Sequence, residues 1–243
     1  MILKIIPFLS LFCINFLYSY QVYTIDYICK FTFPEETTST DLVPCNLIYQ
    51  ENISRFTYFN TQRTPNSFSD KYFYKNFNTG NILSLNDVVN GYQVVIDSLN
   101  IINWKLENST KDVMGYECLK ATAQFRSRKW EVWYTKTIPI SDGPWKLNGL
   151  PGLILEAKGL AMDQIEFKVT HLEIKNSDNF IPIWNPFEEF IKNSVYFSTY
   201  YNDYENYTTN SYKRSVSNNL KENRSSENRL CQYNEELLFC NPK

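Results

Sequence analysis

Residues 138–154 read I-P-I-S-D-G-P-W-K-L-N-G-L-P-G-L-I, and this stretch decides how the rest of the chain is interpreted. It holds three of the ten prolines and three of the seven glycines in the sequence. Because proline lacks a backbone N–H and glycine weakens regular elements, the stretch excludes a helix or a central strand. It predicts consecutive turns, in which proline presets φ and glycine takes conformations that other residues resist.

Segments with the two-residue periodicity of half-buried strands lie on both sides of these turns. The predicted strands cover residues 20–33, 46–49, 55–58, 71–77, 100–107, 116–126, 129–137, 153–158 and 163–175. Short turns between consecutive strands are typical of an antiparallel meander. A change of phase after Val169 also predicts a β-bulge near Thr170–His171.

A short amphipathic helix is predicted beyond the last strand. Asn185 is a good helix cap, Pro186 suits the first helical position, and apolar residues recur with helical spacing at 187, 190, 191 and 195. The predicted fold class is mainly β (α+β): a curved antiparallel sheet or half-barrel with this C-terminal helix packed on it. Such an architecture is similar to that of periplasmic lipoprotein carriers by fold-level analogy.

The first 19 residues have the pattern of a cleavable signal peptide. Lys4 precedes an apolar run from Ile5 to Leu17 that is too short and too interrupted to span a bilayer. Residues 20–200 are predicted to form one β-rich domain, and residues 201–243 a low-complexity tail that ends in a cysteine loop. We therefore expect export to the periplasm or outer cell envelope, with no transmembrane helix in the mature chain.

The net charge and the cysteine and histidine content indicate which ligands, disulfides and metal sites to expect. The formal net charge of −2 offers no basic surface to nucleic acid. In an oxidising compartment, spacing favours the disulfides Cys29–Cys45 and Cys231–Cys240, although spacing alone does not decide connectivity. Cys118, within an apolar strand, is predicted to be a free buried thiol. No C-x-x-C pair exists and the sequence has one histidine, so neither a metal site nor a cofactor is expected.

The segment Gly149-Leu150-Pro151-Gly152-Leu153-Ile154, preceded by Gly143-Pro144, resembles the signature of the GLPGLI family. Further matching positions are Trp104-Lys105, Gly115-Tyr116, Cys118, Lys120-Ala121, Arg128, Trp130, Trp133-Tyr134-Thr135 and Asn185-Pro186. The sequence departs from the family at Leu147, where Phe is usual, and at Ser127, where Gly is common. The family is exported, is abundant in Bacteroidetes-type bacteria and has no established biochemical activity. The resemblance therefore implies an exported protein without assigning it a function.

The turn-rich segment has two interpretations. It either closes one end of the curved sheet or forms the rim of an apolar pocket, since aromatic residues beside a rigid loop often mark binding sites. The motif residues are Gly143, Pro144, Gly149, Leu150, Pro151, Gly152, Leu153 and Ile154. The candidate ligand-binding residues are Trp130, Trp133, Tyr134, Trp145, Leu147, Leu150 and Pro151.

Catalytic candidates are few. His171 is the only histidine and lies in a predicted strand, which disfavours acid–base chemistry through it. Asp142, Glu156, Asp163 and Glu166 lie near the motif, but no spacing singles out a catalytic pair.

The leading hypothesis is an exported, non-catalytic cell-envelope protein that binds an apolar ligand, a lipid or a peptide segment. One alternative is a carboxylate-dependent hydrolase or peptidase-like enzyme. The other is an interaction module for an outer-membrane partner. A pocket lined by Trp and Leu favours the first hypothesis, convergent buried carboxylates the second, and a flat exposed aromatic patch the third.

Overall fold

One sheet of twelve strands forms the part of the chain that the computed structural model describes: residues 19–32, 40–59, 71–88, 91–99, 101–161, 164–177 and 195–196. The strands are β1 (Tyr20–Thr32), β2 (Thr40–Gln50), β3 (Ile53–Tyr58), β4 (Lys71–Asn76), β5 (Asn81–Val88), β6 (Gly91–Ser98), β7 (Lys105–Val113), β8 (Tyr116–Phe125), β9 (Arg128–Thr135), β10 (Leu153–Leu160), β11 (Gln164–Ser177) and β12 (Val195–Tyr196). Their order across the sheet is β12-β6-β5-β4-β3-β2-β1-β11-β10-β9-β8-β7. The short β12 pairs in parallel with β6, whereas the other neighbouring strands are antiparallel. The prediction of a mainly β protein built on an antiparallel sheet is confirmed.

The first strand shows how alternation in the sequence becomes burial. Five of its buried side chains alternate along the strand: Tyr23, Ile25, Tyr27, Cys29 and Phe31. These residues share one face because successive side chains in a strand point to opposite sides of the sheet. The predicted bulge in β11 is also confirmed: Asp26 pairs with His171 and Tyr27 pairs with Val169, so Thr170 is the extra residue.

The connection between β6 and β7 shows that the sheet is strongly curved. β6 is the second strand in the sheet order and β7 is the twelfth. In a flat sheet these ten strand spacings would separate the two strands by about 48 Å. The six residues between Ser98 and Lys105 allow a span of at most about 25 Å. The two ends of the sheet therefore approach each other.

The hydrophobic core lies on the concave side of the curve. Phe56 of β3 and Phe167 of β11 are three strands apart in the sheet order, yet their ring centroids are 6.0 Å apart. Phe167 also stacks on Trp130 of β9, with a centroid distance of 6.4 Å. Contacts between such distant strands are possible only on the inside of the curvature.

Several predicted elements differ from the structure or lie outside its described residues. β5 and β6 were not predicted, and β7 begins at Lys105 rather than at residue 100. β7 is an edge strand with mostly exposed side chains, so no apolar alternation marks its position in the sequence. Residues 1–18, the predicted helix up to residue 194, and residues 201–243 with the Cys231–Cys240 pair lie outside the described residues. Val195, the last apolar position of the predicted helix, instead begins the strand β12 and pairs with Val95. Within the described ranges, no helix has the length and apolar character that crossing a membrane requires.

The predicted Cys29–Cys45 disulfide is wrong. Cys45 is a free thiol that lies opposite Tyr27, whereas Cys29 lies opposite Val43. The two cysteines are therefore diagonal neighbours, for which a Cα separation of about 7–8 Å is typical. That separation exceeds the about 4.4–6.8 Å that a disulfide requires. The prediction for Cys118 is confirmed, because this thiol is free and fully buried.

Candidate functional site

The turn-rich segment joins β9 to β10, and its backbone folds onto itself through consecutive turns. Leu147 N donates to Pro144 O at 3.1 Å, and Gly149 N donates to Ser141 O at 3.3 Å. Ile154 N, at the start of β10, donates to Asp142 O at 3.0 Å. These hydrogen bonds replace the strand ladder that the prolines and glycines prevent.

Most of the candidate ligand-binding side chains belong to the hydrophobic core. Trp130, Tyr134, Trp145, Leu147 and Leu150 are all 2% exposed or less. The Trp145 ring lies 5.6 Å from the Trp130 ring, between centroids, and the two planes are nearly parallel. These side chains therefore fill the concave side of the sheet and do not present a surface to a ligand.

The two other candidates lie elsewhere. Pro151 is exposed on the turn before β10, and Trp133 is half-buried on the opposite side of the sheet from Trp130 and Tyr134. This arrangement follows from the alternation of β9, which sends neighbouring side chains to opposite faces.

Two glycines of the motif allow the segment to pack this closely. Gly152 has a φ of +154°, and a Cβ atom at that position would lie 2.0 Å from the carbonyl oxygen of Thr135. A Cβ atom on Gly143 would lie 2.8 Å from Cβ of Ile154. Both contacts are too close for any larger residue without a shift of the chain.

A buried ion pair links the turn-rich segment to β4. The Lys75 ammonium contacts the Asp142 carboxylate, and both side chains are fully buried. Lys75 Nζ also donates to Gly143 O at 2.7 Å. Burial lowers the pKa of Lys75, while the Asp142 carboxylate acts in the opposite direction. Since buried charges are tolerated when they are paired and hydrogen-bonded, this contact indicates a structural role.

A second buried cluster ties the same segment to both ends of the sheet. Asp97 of β6 contacts Arg126 in the turn between β8 and β9, and it accepts a hydrogen bond from Lys146 Nζ at 3.2 Å. Burial raises the pKa of Asp97. The charges of Lys146 and Arg126 lower it by more than burial raises it, so the pKa lies below its ordinary value. The cluster holds the curved sheet closed around the segment.

The buried lysines and arginine of these clusters were not predicted, although the sequence contains one weak signal of them. Lys75 has the same strand phase as Phe73, whose side chain is buried. A lysine in the apolar phase of a strand indicates a buried partner, but the identity of that partner could not be read from local sequence. Asp142 lies 67 residues further along the chain.

A shallow polar cleft surrounds Trp133 on the outer face of the sheet. Its volume is about 210 Å³. The lining residues come from β7, β9, β10 and β11: Lys111, Glu131, Trp133, Glu156, Lys158, Glu166 and Lys168, together with Ala157 and Phe167, whose side chains are buried in the core. Because side chains of adjacent strands stand side by side, four strands contribute to a single surface.

Acids and lysines alternate across this cleft. Lys111 contacts Glu156, and Lys158 contacts Glu166 at 2.9 Å. The hydrogen bond from Lys158 lowers the pKa of Glu166. Lys111 Nζ also lies 4.6 Å from the centroid of the Trp133 ring, within the range of a cation–π contact.

Of the carboxylates considered as catalytic candidates, Glu156 and Glu166 lie in the same outer cleft, whereas Asp142 is separated from them. Asp142 is buried against Lys75, while Glu156 and Glu166 belong to the outer cleft and contact lysines. Asp163 lies outside the described residues, and His171 is exposed on β11. Among the described residues, no group of three or more His, Cys, Asp and Glu side chains is arranged to hold a metal ion.

Comparison with known proteins gives a family different from the one that the motif suggested. A family profile described as "N-glycanase peptide, N-terminal domain" matches residues 44–200, which is more than half of the chain. The assignment to the GLPGLI family is therefore wrong. The motif at the centre of the resemblance consists largely of turn residues, and closely packed turns of different sheets need the same proline and glycine chemistry. No curated protein sequence matches the chain.

Solved structures agree on the fold. A structure of PNGF-II in space group C2 is 17% identical with a TM-score of 0.52, and the match covers 72% of this chain and 30% of that one. A second PNGF-II structure, in space group P21, gives the same identity and TM-score over 75% and 32% of the two chains. The chain thus spans about a third of the length of PNGF-II.

A LolA superfamily protein from Nitrosomonas europaea is 9% identical, with 63% of this chain and 86% of that one covered. Its TM-score of 0.31 is too low to support the predicted likeness to lipoprotein carriers. The match over residues 44–200 assigns the chain to the family of the N-glycanase peptide N-terminal domain.

Proposed function

We propose that this chain is an exported, non-catalytic module that binds a glycan-bearing ligand. The observation that carries the proposal is the family match, because the matching profile describes the N-terminal domain of an N-glycanase. A domain of this kind would serve glycan processing by holding the glycosylated molecule. Export remains the expectation set by the apolar run from Ile5 to Leu17.

The side-chain geometry favours binding over catalysis. Hydrolysis of a glycosidic bond typically uses two carboxylates that face the reacting bond. Here Asp142 lies in the core with Lys75, while Glu156 and Glu166 contact lysines on the outer face. Because Asp142 is buried apart from the other two, and both Glu156 and Glu166 are engaged by lysines within one cleft, the geometry does not favour the alternative of a carboxylate-dependent hydrolase or peptidase-like enzyme.

The geometry also favours a glycan over a lipid tail or another apolar ligand. An apolar ligand in the concave face would have to displace the segment that already fills it. Trp145 and Leu147 have no exposed surface, and two buried ion pairs anchor their neighbours Asp142 and Lys146. The outer cleft is lined largely by charged residues, which suit hydroxyl groups better than acyl chains.

The proposal is tested with the full chain and an N-glycopeptide. Calorimetry should detect binding to the glycopeptide and no binding to the same peptide without its glycan. Mass spectrometry of the incubated glycopeptide should show no released glycan. Release of the glycan would establish catalysis, and equal binding of both peptides would refute glycan recognition. Retention of a fluorescent apolar probe without glycopeptide binding would restore the apolar-ligand hypothesis.

A further inference from the structure

We propose that the cleft around Trp133 is the site of glycan contact and that it takes one neutral pyranose ring. This inference rests on the proposed function and adds to it a place and a ligand class. It is carried by three properties of the cleft: its size, its half-buried indole, and its balanced arrangement of charges.

The size of the cleft suits one ring. Its volume of about 210 Å³ lies below the about 300–1,000 Å³ of sites that enclose drug-sized ligands. A longer glycan would therefore place one residue in the cleft and extend its neighbours along the outer face of the sheet.

Trp133 supplies the apolar surface that a sugar ring needs. A pyranose has a face of C–H groups and an edge of hydroxyl groups, so it can lie on an aromatic ring while its edge remains hydrogen-bonded. Of the two tryptophans in β9, Trp130 has no exposed surface, whereas Trp133 is half-buried in the cleft. A partly buried indole surrounded by hydrogen-bonding groups matches this amphipathic ligand.

The charges around the indole favour a neutral ligand. Three glutamates and three lysines line the cleft: Glu131, Glu156, Glu166, Lys111, Lys158 and Lys168. For an anionic ligand, attraction to the lysines would be offset by repulsion from the glutamates. Each carboxylate has about four acceptor positions, so an ion pair with one lysine leaves positions for sugar hydroxyl groups.

Stacking of a sugar on Trp133 requires the side chain of Lys111 to move. Its ammonium group lies 4.6 Å from the centroid of the Trp133 ring, where the sugar would stack, and the ammonium group of Lys120, which pairs with Glu131 at 2.8 Å, lies 5.9 Å from the same centroid. Lys111 is a third exposed, and its contact with Glu156 is a partly exposed ion pair of the weak kind. The flexible lysine side chain can swing off the ring and donate a hydrogen bond to the edge of the bound sugar.

The experiment compares the wild-type full chain with two substitutions of Trp133 and one control substitution. The probes are the N-glycopeptide of the functional test, N,N′-diacetylchitobiose, methyl α-mannoside and cellobiose, with glucuronate as the anionic counterpart. We expect Trp133→Ala to weaken binding of the glycopeptide and of at least one neutral sugar by tenfold or more. Trp133→Phe should stay within about threefold of the wild type. Phe59→Ala removes an aromatic that is 41% exposed outside the cleft, and it should bind like the wild type.

The outcomes separate this inference from the proposed function. If the wild type binds the glycopeptide and Trp133→Ala binds it equally well, the cleft is not the site, although glycan binding stands. If the wild type binds neither glycopeptide nor sugar, both proposals fail. Stronger binding of glucuronate than of every neutral sugar would refute the neutral-ring specificity. Urea melts of the three variants establish that a loss of binding is not a loss of fold.

Discussion

Gly152 offers the sharpest test of how the turn-rich segment packs against the sheet. Replacing it by alanine puts a Cβ atom 2.0 Å from the carbonyl oxygen of Thr135 and 2.7 Å from its carbonyl carbon. Both atoms belong to the backbone at the end of β9, so no side-chain rotation relieves the contact. The pairing of Leu153 with Thr135, which begins the β9–β10 ladder, has to open instead.

The expected loss of stability has two parts. Backbone strain at a φ of +154° costs about 1–3 kcal/mol for a non-glycine residue. Forcing an extra carbon into a packed contact costs about 1–3 kcal/mol more. Gly152→Ala should therefore lower the free energy of unfolding by roughly 2–6 kcal/mol, a large part of the about 5–15 kcal/mol that holds a typical domain folded.

Gly115 provides the matched control. It also has a positive φ, of +83°, but a Cβ atom there would meet nothing within 4 Å. Gly115→Ala should cost only the about 1–2 kcal/mol of the left-handed conformation. Urea unfolding followed by tryptophan fluorescence measures both variants. Equal losses for the two substitutions would refute the close packing of Gly152 against Thr135.

Three other predictions concern buried ionisable groups. Lys75→Met should destabilise the chain by about 3–5 kcal/mol in urea melts because it leaves the Asp142 charge buried without its partner. Adding Asp142→Leu should restore much of the lost stability. A double variant that shows no recovery would contradict the pairing. The folded-state pKa of Asp97 is depressed, so its stabilising contribution is present above about pH 4 and is lost as pH falls through that pKa. The stability gap between wild type and Asp97→Asn should therefore narrow in acid, whereas a constant gap would refute the linkage. Burial raises the pKa of the Cys118 thiol to about 11, so iodoacetamide at pH 8 should label it in urea but not in the native chain, as peptide mapping would show.

The family assignment shows that a short motif was not enough to identify the family of this chain. The segment from Gly149 to Ile154 has the letters of one family, whereas the profile over residues 44–200 identifies another. Proline and glycine at these positions report that the backbone turns tightly. They carry little information about which protein makes the turn, because the same φ angles recur in many folds.

The candidate site was predicted in part. Alternation along β9 correctly separates Trp130 from Trp133, since the side-chain period of a strand is two. The sequence could not tell which of the two faces would be covered. The covering segment lies on the concave side, so Trp130 became core and Trp133 came to lie in the polar cleft.

The sequence by itself determined the local features: most of the strands, the bulge at Thr170 and the turns of the motif. Each of these depends on the period and backbone preferences of neighbouring residues. Only the tertiary structure decided that Lys75 would meet Asp142, that Asp97 would meet Arg126, and that four strands would build a cleft around Trp133. These contacts join residues far apart in the chain, and they exist because curvature of the sheet brings its distant strands together.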